Sequence, residues 1–302
     1  MSDSFDSAGL KAELERALGF RMSGFKRLKC VNSVNFRVTR ESDGFVFLVK
    51  GLPAWRRAGY DMIVRHVREL KGTLAPQRLF EAECPASFEG YDLICLTWCE
   101  GASLFPDRLS EDELDAFLDA YLSFSDALQR TSVHHFAYPG DRWRQEALEK
   151  CRTGWGRLVR PCVEDCAAEL SFFRPECQRV QHGDLHPGNF VFANGRVVGF
   201  LDVEGLTKGY CAWDLVRYFV FSLDRLSVFA RRRRAKTFAH FARAVRRLPY
   251  SREEWITSLN VSWLEQIHKK LEGPRVGLVA ALQLRLHSRL YRKLRAMAVE
   301  NA

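Results

Sequence analysis

The spacing of apolar residues changes from a period of two to a period of about 3.6 near residue 100 of this 302-residue chain. Before that point, short alternating runs predict strands, with an amphipathic helix over residues 7–18 and a second helix over residues 60–71. The predicted strands are Phe25–Cys30, Val34–Arg40, Phe45–Lys50, Leu79–Cys84 and Tyr91–Trp98. The first third of the chain is therefore predicted to combine strands with helices.

Beyond residue 100, the apolar positions follow helical spacing. Ser110 and Glu113 form a capping box, and apolar side chains from Leu114 to Leu128 then trace one helical face. Further helices are expected over residues 141–152, 162–173, 212–223, 226–246, 252–271 and 276–298. The chain is thus predicted to be an α+β protein, with an N-terminal lobe of residues 1–98 and a mainly helical C-terminal lobe of residues 99–302.

One hairpin interrupts the helical part, and it carries the most informative residues. Strands Phe190–Ala193 and Arg196–Leu201 flank an Asn-Gly turn, and the segment HGDLHPGN precedes the first strand. The hairpin is expected to bring Asp184, Asn189 and Asp202 together. One carboxylate can then face a hydroxyl nucleophile, while the other oxygens suit Mg2+, and this combination indicates phosphoryl transfer.

The string from His182 to Asp202 resembles the catalytic core of the aminoglycoside phosphotransferase and choline kinase superfamily, which shares its fold with the protein kinases. The resemblance implies a two-lobed fold, with an antiparallel N-terminal sheet plus a helix and a mainly helical C-terminal lobe. It also implies ATP as donor and Mg2+ as metal, Asp184 as the catalytic base, and Asn189 and Asp202 as metal ligands. It is most specific over residues 180–215.

Lys50 ends the apolar strand FVFLVK, where a charge is costly to bury without a partner. Together with the downstream string, this position indicates a lysine that binds the nucleotide phosphates. Such a lysine needs a carboxylate to fix its position. Glu69, on the helix over residues 60–71, is the expected partner, and Asp61 is the alternative.

Two further stretches match weaker features of the resemblance. Ser33 ends the connection over residues 31–33 that would cover the phosphates, and this connection has no glycine-rich signature. Ser33 and Asn35 together resemble the S-x-N pattern of the superfamily. Trp98, Cys99 and Glu100 lie where the resemblance places the hinge between the lobes. Their backbone N–H and C=O groups would bond the edge of the adenine ring.

The remaining polar residues near the string have supporting or open roles. His182 is expected to brace the loop by hydrogen bonds, and the resemblance implies that Asp214 caps this loop from the next helix. His186 would contact either the loop backbone or the transferred phosphate, and Glu204 either a metal or the acceptor. Asp214 follows Asp202 by only twelve positions, too short an interval for a protein kinase activation loop, so a small-molecule acceptor is favoured.

The net charge of +9 is distributed unevenly along the chain. Residues 225–302 contain 18 Lys or Arg against 5 Asp or Glu, including the run Arg231–Arg234 and a basic last helix. A basic acceptor region favours a sugar-like or anionic metabolite over a polycationic aminoglycoside. The alternatives are a membrane-surface kinase of a glycolipid or lipopolysaccharide core sugar and, more remotely, a non-catalytic nucleic-acid-binding module.

The nine cysteines, an odd number without paired spacing, predict free thiols rather than a disulfide framework. Cys162, Cys166 and Cys177 form the only cluster, and no histidine lies at ligand spacing. Neither a signal-peptide pattern nor an apolar run of membrane-spanning length is present. We therefore expect a cytoplasmic protein, with a peripheral position at the inner membrane surface as the alternative, and no protein partner is evident.

Overall fold

The structure, a computed structural model, describes residues 5–30, 32–132, 140–152, 154–158, 160–161, 163–164, 178–210, 212–226, 229–270 and 278–302. Its N-terminal part contains two helices and six strands. These are α1 (Ser7–Leu18), β1 (Met22–Leu28), β2 (Val34–Arg40), β3 (Val46–Pro53), α2 (Arg57–Glu69), β4 (Arg78–Leu79), β5 (Ser87–Phe88) and β6 (Tyr91–Thr97).

The six strands form one antiparallel sheet in the order β1-β2-β3-β6-β4, with β5 also paired to β6. One apolar cluster joins this sheet to α1, whose Leu10 and Leu14 are fully buried against side chains such as Phe36 and Phe47. The alternation of buried and less buried residues along β2 follows the period of two seen in the sequence.

The C-terminal part is mainly helical. It contains α3 (Glu111–Leu128), α4 (Gly140–Lys150), β7 (Gln178–Gln181), β8 (Phe190–Ala193), β9 (Arg196–Phe200), β10 (Thr207–Tyr210), α5 (Trp213–Arg225), α6 (Arg231–Arg247), α7 (Arg252–Lys270) and α8 (Leu278–Asn301). Strands β8 and β9 form the predicted hairpin, and β7 pairs with β10. Within the described ranges, no helix is both long and apolar enough to cross a bilayer.

A second, larger apolar cluster connects the two lobes. Ile63, Val67 and Leu70 on one face of α2 belong to the same cluster as Leu185 and Phe200 beside the hairpin. Helix α2 therefore packs toward the hairpin of β8 and β9 as well as its own sheet. The two-lobed α+β fold predicted from the sequence is confirmed, while the boundary at residue 98 stays a prediction.

Several predicted elements have different bounds. The strand expected over Leu79–Cys84 is wrong after its first residue, because Phe80 has a φ of 51° and the Cys84 N–H closes a turn onto the Phe80 carbonyl. The helix expected over residues 226–246 begins only at Arg231, because Leu226 has extended backbone angles. Most of the helix expected over residues 162–173 lies outside the described residues.

The described cysteines Cys30, Cys84, Cys95, Cys99 and Cys151 are free thiols, as expected. The cluster of Cys162, Cys166 and Cys177 lies outside the described residues.

Carboxylates on α3 compensate part of the basic charge of α6. Arg243 donates to Asp115 at 2.8 and 2.6 Å, and its pairing lowers the pKa of that carboxyl. Arg247 contacts Asp115 at 3.0 Å and Asp119 at 2.7 Å. Within the basic run, Arg233 donates at 2.5 Å to the buried Asp107. Arg243 and Arg247 join α6 to α3, and Arg233 joins α6 to the turn before α3. These arginines are therefore not wholly available to an external anion.

Gly101 follows the predicted hinge and lies against the hairpin of β8 and β9. Its φ is 154°, and a Cβ there would lie 2.1 Å from the carbonyl oxygen of Phe192. The next residue, Ala102, exchanges two backbone hydrogen bonds of 2.9 Å with Phe192. Any side chain at position 101 would therefore push the hinge away from the hairpin.

We predict that Gly101→Ala lowers the free energy of unfolding by at least about 2 kcal/mol, from backbone strain and overlap with the hairpin. Gly44→Ala is the matched control, because Gly44 also has a positive φ, 70°, but open space around it. Urea unfolding of both variants measures the difference. An equal loss of unfolding free energy in both variants would show that the close approach of Gly101 to Phe192 does not restrict the residue at position 101.

Candidate active site

The hairpin of β8 and β9 is built from local sequence and anchored by buried aromatic rings. Asn194 and Gly195 have φ values of 53° and 73°, as a type I′ turn requires. Phe190 and Phe200 face each other across the strands and are fully buried. The Phe200 ring stacks on Phe124 of α3 at 4.4 Å. The loops at the open end of the hairpin are thus held on a rigid core.

Asp214 fixes the loop that precedes the hairpin. Its buried carboxylate accepts hydrogen bonds from the backbone N–H groups of His182 at 2.6 Å and Gly183 at 3.0 Å. Burial raises the pKa of Asp214, although these donors act in the opposite direction. The His182 ring, also buried, bonds the Leu201 carbonyl at 2.5 Å. The predicted roles of Asp214 and His182 as supports of the loop are confirmed.

Asn189 links the Asp184 loop to the segment that contains Asp202. Its side-chain N–H group donates to the Asp184 carbonyl at 2.9 Å and to the Asp184 carboxylate at 3.3 Å. Its backbone carbonyl accepts from the Leu201 N–H at 2.7 Å, next to Asp202. Because the amide nitrogen faces Asp184, the amide oxygen is left for another partner. Asn189 and Asp202 therefore offer the hard oxygen ligands that Mg2+ prefers.

Lys50 is buried, with 5% of its surface exposed, and its ammonium lies between two carboxylates. The distances from its Nζ are 2.6 Å to Asp202 and 2.7 Å to Glu204. Burial disfavours the charged ammonium, but the two carboxylates outweigh it and raise the pKa of Lys50. Burial also raises the pKa of Glu204, whereas Lys50 outweighs burial at Asp202 and lowers the pKa of that group. Lys50 therefore stays charged.

The predicted pair of Lys50 with Glu69 is not formed. Glu69 accepts hydrogen bonds from the backbone and hydroxyl of Ser132, at 3.1 and 2.7 Å. Asp61, the alternative, pairs with Arg57 at 3.2 Å. The reason is helical geometry. Ile63, His66 and Val67 lie on the buried face of α2, whereas Glu69 lies on its exposed face.

A cleft of about 370 Å³ contains most of the predicted nucleotide-binding residues. Asn35, Trp98 and Cys99 line it, whereas Ser33 and Glu100 do not. Glu100 instead accepts from the Trp98 indole at 2.6 Å and pairs with Arg37. The lining also includes side chains of both lobes, namely Leu28, Leu48, Lys50, Ile63, Val67, Leu96, Asn189, Val191, Leu201, Asp202 and Glu204.

Asp184 lines a second cavity, of about 490 Å³, rather than this cleft. Arg217 lies beside it and donates to the Asp184 carboxylate at 3.1 Å and to the Gly183 carbonyl. Arg217 is itself held by the buried Glu265 of α7 at 3.3 Å. The carboxylate of Asp184 is therefore oriented from both sides, by Asn189 and by Arg217.

The wall of the second cavity also contains an aromatic platform. Phe221 stacks on the His186 ring, with 5.3 Å between the ring centroids. The Arg225 guanidinium lies over the Phe221 ring, 4.7 Å from its centroid. The His186 ring accepts a hydrogen bond from the Gly188 N–H at 3.0 Å. Of the two roles considered for His186, the structure shows the contact with the loop backbone.

Sequence reasoning missed Arg217, Phe221 and Arg225. A signal for Arg217 was present, because it follows Asp214 by three residues on one helix, and residues at this spacing share a face. A residue one turn beyond the loop-capping aspartate is therefore directed at the same loop.

Comparisons with known proteins agree with this geometry. Residues 32–255 match the model of the phosphotransferase enzyme family, so this chain belongs to that family. A search of curated protein sequences finds no significant match.

Solved structures with the same fold include three phosphotransferases that are similar over almost the whole chain. Spectinomycin phosphotransferase APH(9)-Ia with ADP and spectinomycin has a TM-score of 0.60 and 14% identity, over 99% of both chains. A thermostable mutant of APH(4)-Ia with ADP and hygromycin B has a TM-score of 0.58 and 16% identity, over 97% of this chain and 98% of that chain. An aminoglycoside phosphotransferase from Alicyclobacillus acidocaldarius has a TM-score of 0.61 and 15% identity, over 91% of each.

We predict that Asp214→Ala lowers the free energy of unfolding by about 3 kcal/mol, because two buried N–H groups lose a charged acceptor. Asp126→Ala, at an exposed position on α3, is the control and should change stability by less than about 0.5 kcal/mol. Chemical unfolding of both variants gives the comparison. A similar small change for both would mean that Asp214 does not hold the loop.

Proposed function

We propose that this chain transfers the γ-phosphate of ATP to a hydroxyl group of a small molecule. One observation carries the proposal. The hydrogen-bonded residues Asn189 and Asp184 line different cavities, Asn189 the cleft between the lobes and Asp184 the second cavity. A phosphate donor in the cleft and a hydroxyl acceptor in the second cavity would meet at this pair.

The cleft suits a nucleotide. Its apolar side chains, among them Leu48, Leu96 and Leu201, would enclose a planar base, and the buried Lys50 ammonium would neutralise phosphate charge. Backbone groups of Trp98, Cys99 and Glu100 are proposed to bond the edge of the base, and those of Ser33 and Asn35 to approach the phosphates. Related structures contain ADP or AMP-PNP.

The oxygens of Asn189 and Asp202 are proposed to hold Mg2+, which would neutralise charge on the transferred phosphate. The free amide oxygen of Asn189 and the half-exposed carboxylate of Asp202 fit this role.

Asp184 is proposed to orient the acceptor hydroxyl and to accept its proton. The hydroxyl oxygen forms a bond to the γ-phosphorus while the bond to the bridging oxygen of ADP breaks. The transition state of such a transfer is loose, so rate depends on positioning more than on base strength. Arg217 and Asn189 supply this positioning by holding the two oxygens of the Asp184 carboxylate.

The acceptor is proposed to be sugar-like or anionic rather than an aminoglycoside. Arg217 and Arg225 line the second cavity together with the carboxylates of Asp184 and Asp224. Arg217 is paired with Asp184 and Glu265, so Arg225 is the guanidinium proposed to oppose a polycationic acceptor. Phe221, whose ring contacts His186 and Arg225, adds apolar surface to the wall of this cavity. The choice of acceptor rests on Arg225 and Phe221.

The basic helix α6 gives less support to a membrane-surface or nucleic-acid-binding role than its sequence suggests. Arg233, Arg243 and Arg247 are paired with carboxylates of the same chain. Neither alternative is favoured by a specific contact in the described part of the chain.

We predict that Asp184→Asn lowers kcat for phosphate transfer at least a hundredfold, because the acceptor hydroxyl loses its proton acceptor. Affinity for Mg·ATP should change little, since Asp184 does not line the cleft. Asp119→Asn, on the outer face of α3, is the matched control. Transfer from labelled ATP across a panel of hydroxyl compounds is the measurement. Equal background turnover for all three proteins would contradict the proposed activity.

We also predict that Arg225→Ala lowers kcat/KM about tenfold for anionic acceptors and much less for neutral sugars, because one charged contact is lost. Arg292→Ala, an exposed arginine on α8, is the control. Initial rates with sugar phosphates, neutral sugars and an aminoglycoside give the comparison. A higher kcat/KM for the aminoglycoside than for the other two classes would exclude the proposed acceptor class.

A further inference from the structure

The carboxylates that hold Lys50 come from the C-terminal lobe. Lys50 lies on β3 of the N-terminal sheet, whereas Asp202 and Glu204 follow strand β9 of the catalytic hairpin. The lysine is therefore fixed across the cleft and not from within its own lobe.

Helix α2 supplies no carboxylate to this lysine. Its only two acidic residues are Asp61 and Glu69, and both have other partners. The residue that α2 directs inward is His66, which is 2% exposed and bonds the Val203 carbonyl at 2.8 Å. Helix α2 thus holds the backbone between Asp202 and Glu204 rather than the lysine itself.

The two carboxylates on Lys50 are not equivalent. The Asp202 side chain is 50% exposed in the cleft, so it can share its charge with a metal. The Glu204 side chain is 21% exposed and places its Oε2 atom 2.7 Å from the ammonium. If Asp202 held Mg2+, as proposed above, its attraction for Lys50 would weaken, and Glu204 would be the carboxylate that remains.

We propose that Glu204 is the positioning residue for Lys50, in place of a glutamate on α2, and that it keeps the ammonium directed at the nucleotide phosphates. The inference rests on the proposed function, because it concerns how Lys50 meets ATP. In this role Glu204 contacts neither the metal nor the acceptor, the two alternatives that the sequence leaves open.

The test compares Glu204→Gln with Glu69→Gln, the same substitution at the residue on α2. Calorimetric titration should show that Glu204→Gln binds Mg·ATP roughly tenfold more weakly, whereas Glu69→Gln binds like wild type. Adenosine, which has no phosphates, should bind all three proteins equally, and this also shows that the cleft is folded. Glu204→Asp, which keeps the charge, should recover part of the ATP affinity.

A double-mutant cycle separates positioning from other roles. In the background of Lys50→Met, the change Glu204→Gln should have no further effect on ATP affinity, because its target is gone. A full additional loss, or a rise in the Mg2+ concentration needed for half-saturation, would make Glu204 a metal ligand and overturn the inference. Wild-type protein that fails to bind Mg·ATP would instead contradict the proposed function. Normal binding by both wild type and Glu204→Gln would contradict this inference alone.

Discussion

A lysine ammonium that is almost fully buried requires opposite charge within a few ångströms, and this requirement organises the site. Here the opposite charge lies on the other lobe, at Asp202 and Glu204. The strand that carries Lys50 and the hairpin that carries the two carboxylates must therefore approach each other. The cleft between the lobes, its polar wall and the orientation of the metal segment all follow from this approach.

The rest of the active site is held by buried supports that take no part in chemistry. Asp214 binds the loop backbone, the stacked rings of Phe200 and Phe124 anchor the hairpin, and Arg217 connects Asp184 to the interior of the helical lobe. A phosphate-transfer site benefits from such support because small errors in position cost rate. The low identity to the solved relatives shows that the fold persists with many different side chains around it.

The local sequence is sufficient to predict those features whose contacts are made between residues close together in the chain. The Asn-Gly turn and the capping box of α3 are predictable because their hydrogen bonds span only a few residues. The loop around Asp184 is predictable from its resemblance to a known motif, although Asp214 and Arg217, more than thirty residues away, hold it. The Lys50 pair is not predictable, since the sequence does not show which of several carboxylates a fold brings near. Glu69 is predicted because it lies on the helix over residues 60–71, but the rotation of α2 directs it to Ser132.

The ion pairs between α6 and α3 could not be predicted from the sequence either. The sequence suggests an exposed basic surface on α6, because the carboxylates on α3 that pair with its arginines lie more than a hundred residues earlier. The short strand β4 was overestimated for a different reason. Its apolar pattern continues past Leu79, and only the turn at Phe80 ends the pairing.

The arrangement of two cavities around one hydrogen-bonded pair has a kinetic consequence. Asn189 lines the cleft and Asp184 lines the second cavity, so the nucleotide and the acceptor would each enter through a different cavity. For the proposed reaction, donor and acceptor can then arrive in either order and must both be present before the phosphate moves. Transfer would be direct, within a ternary complex, and the protein itself would never carry the phosphate.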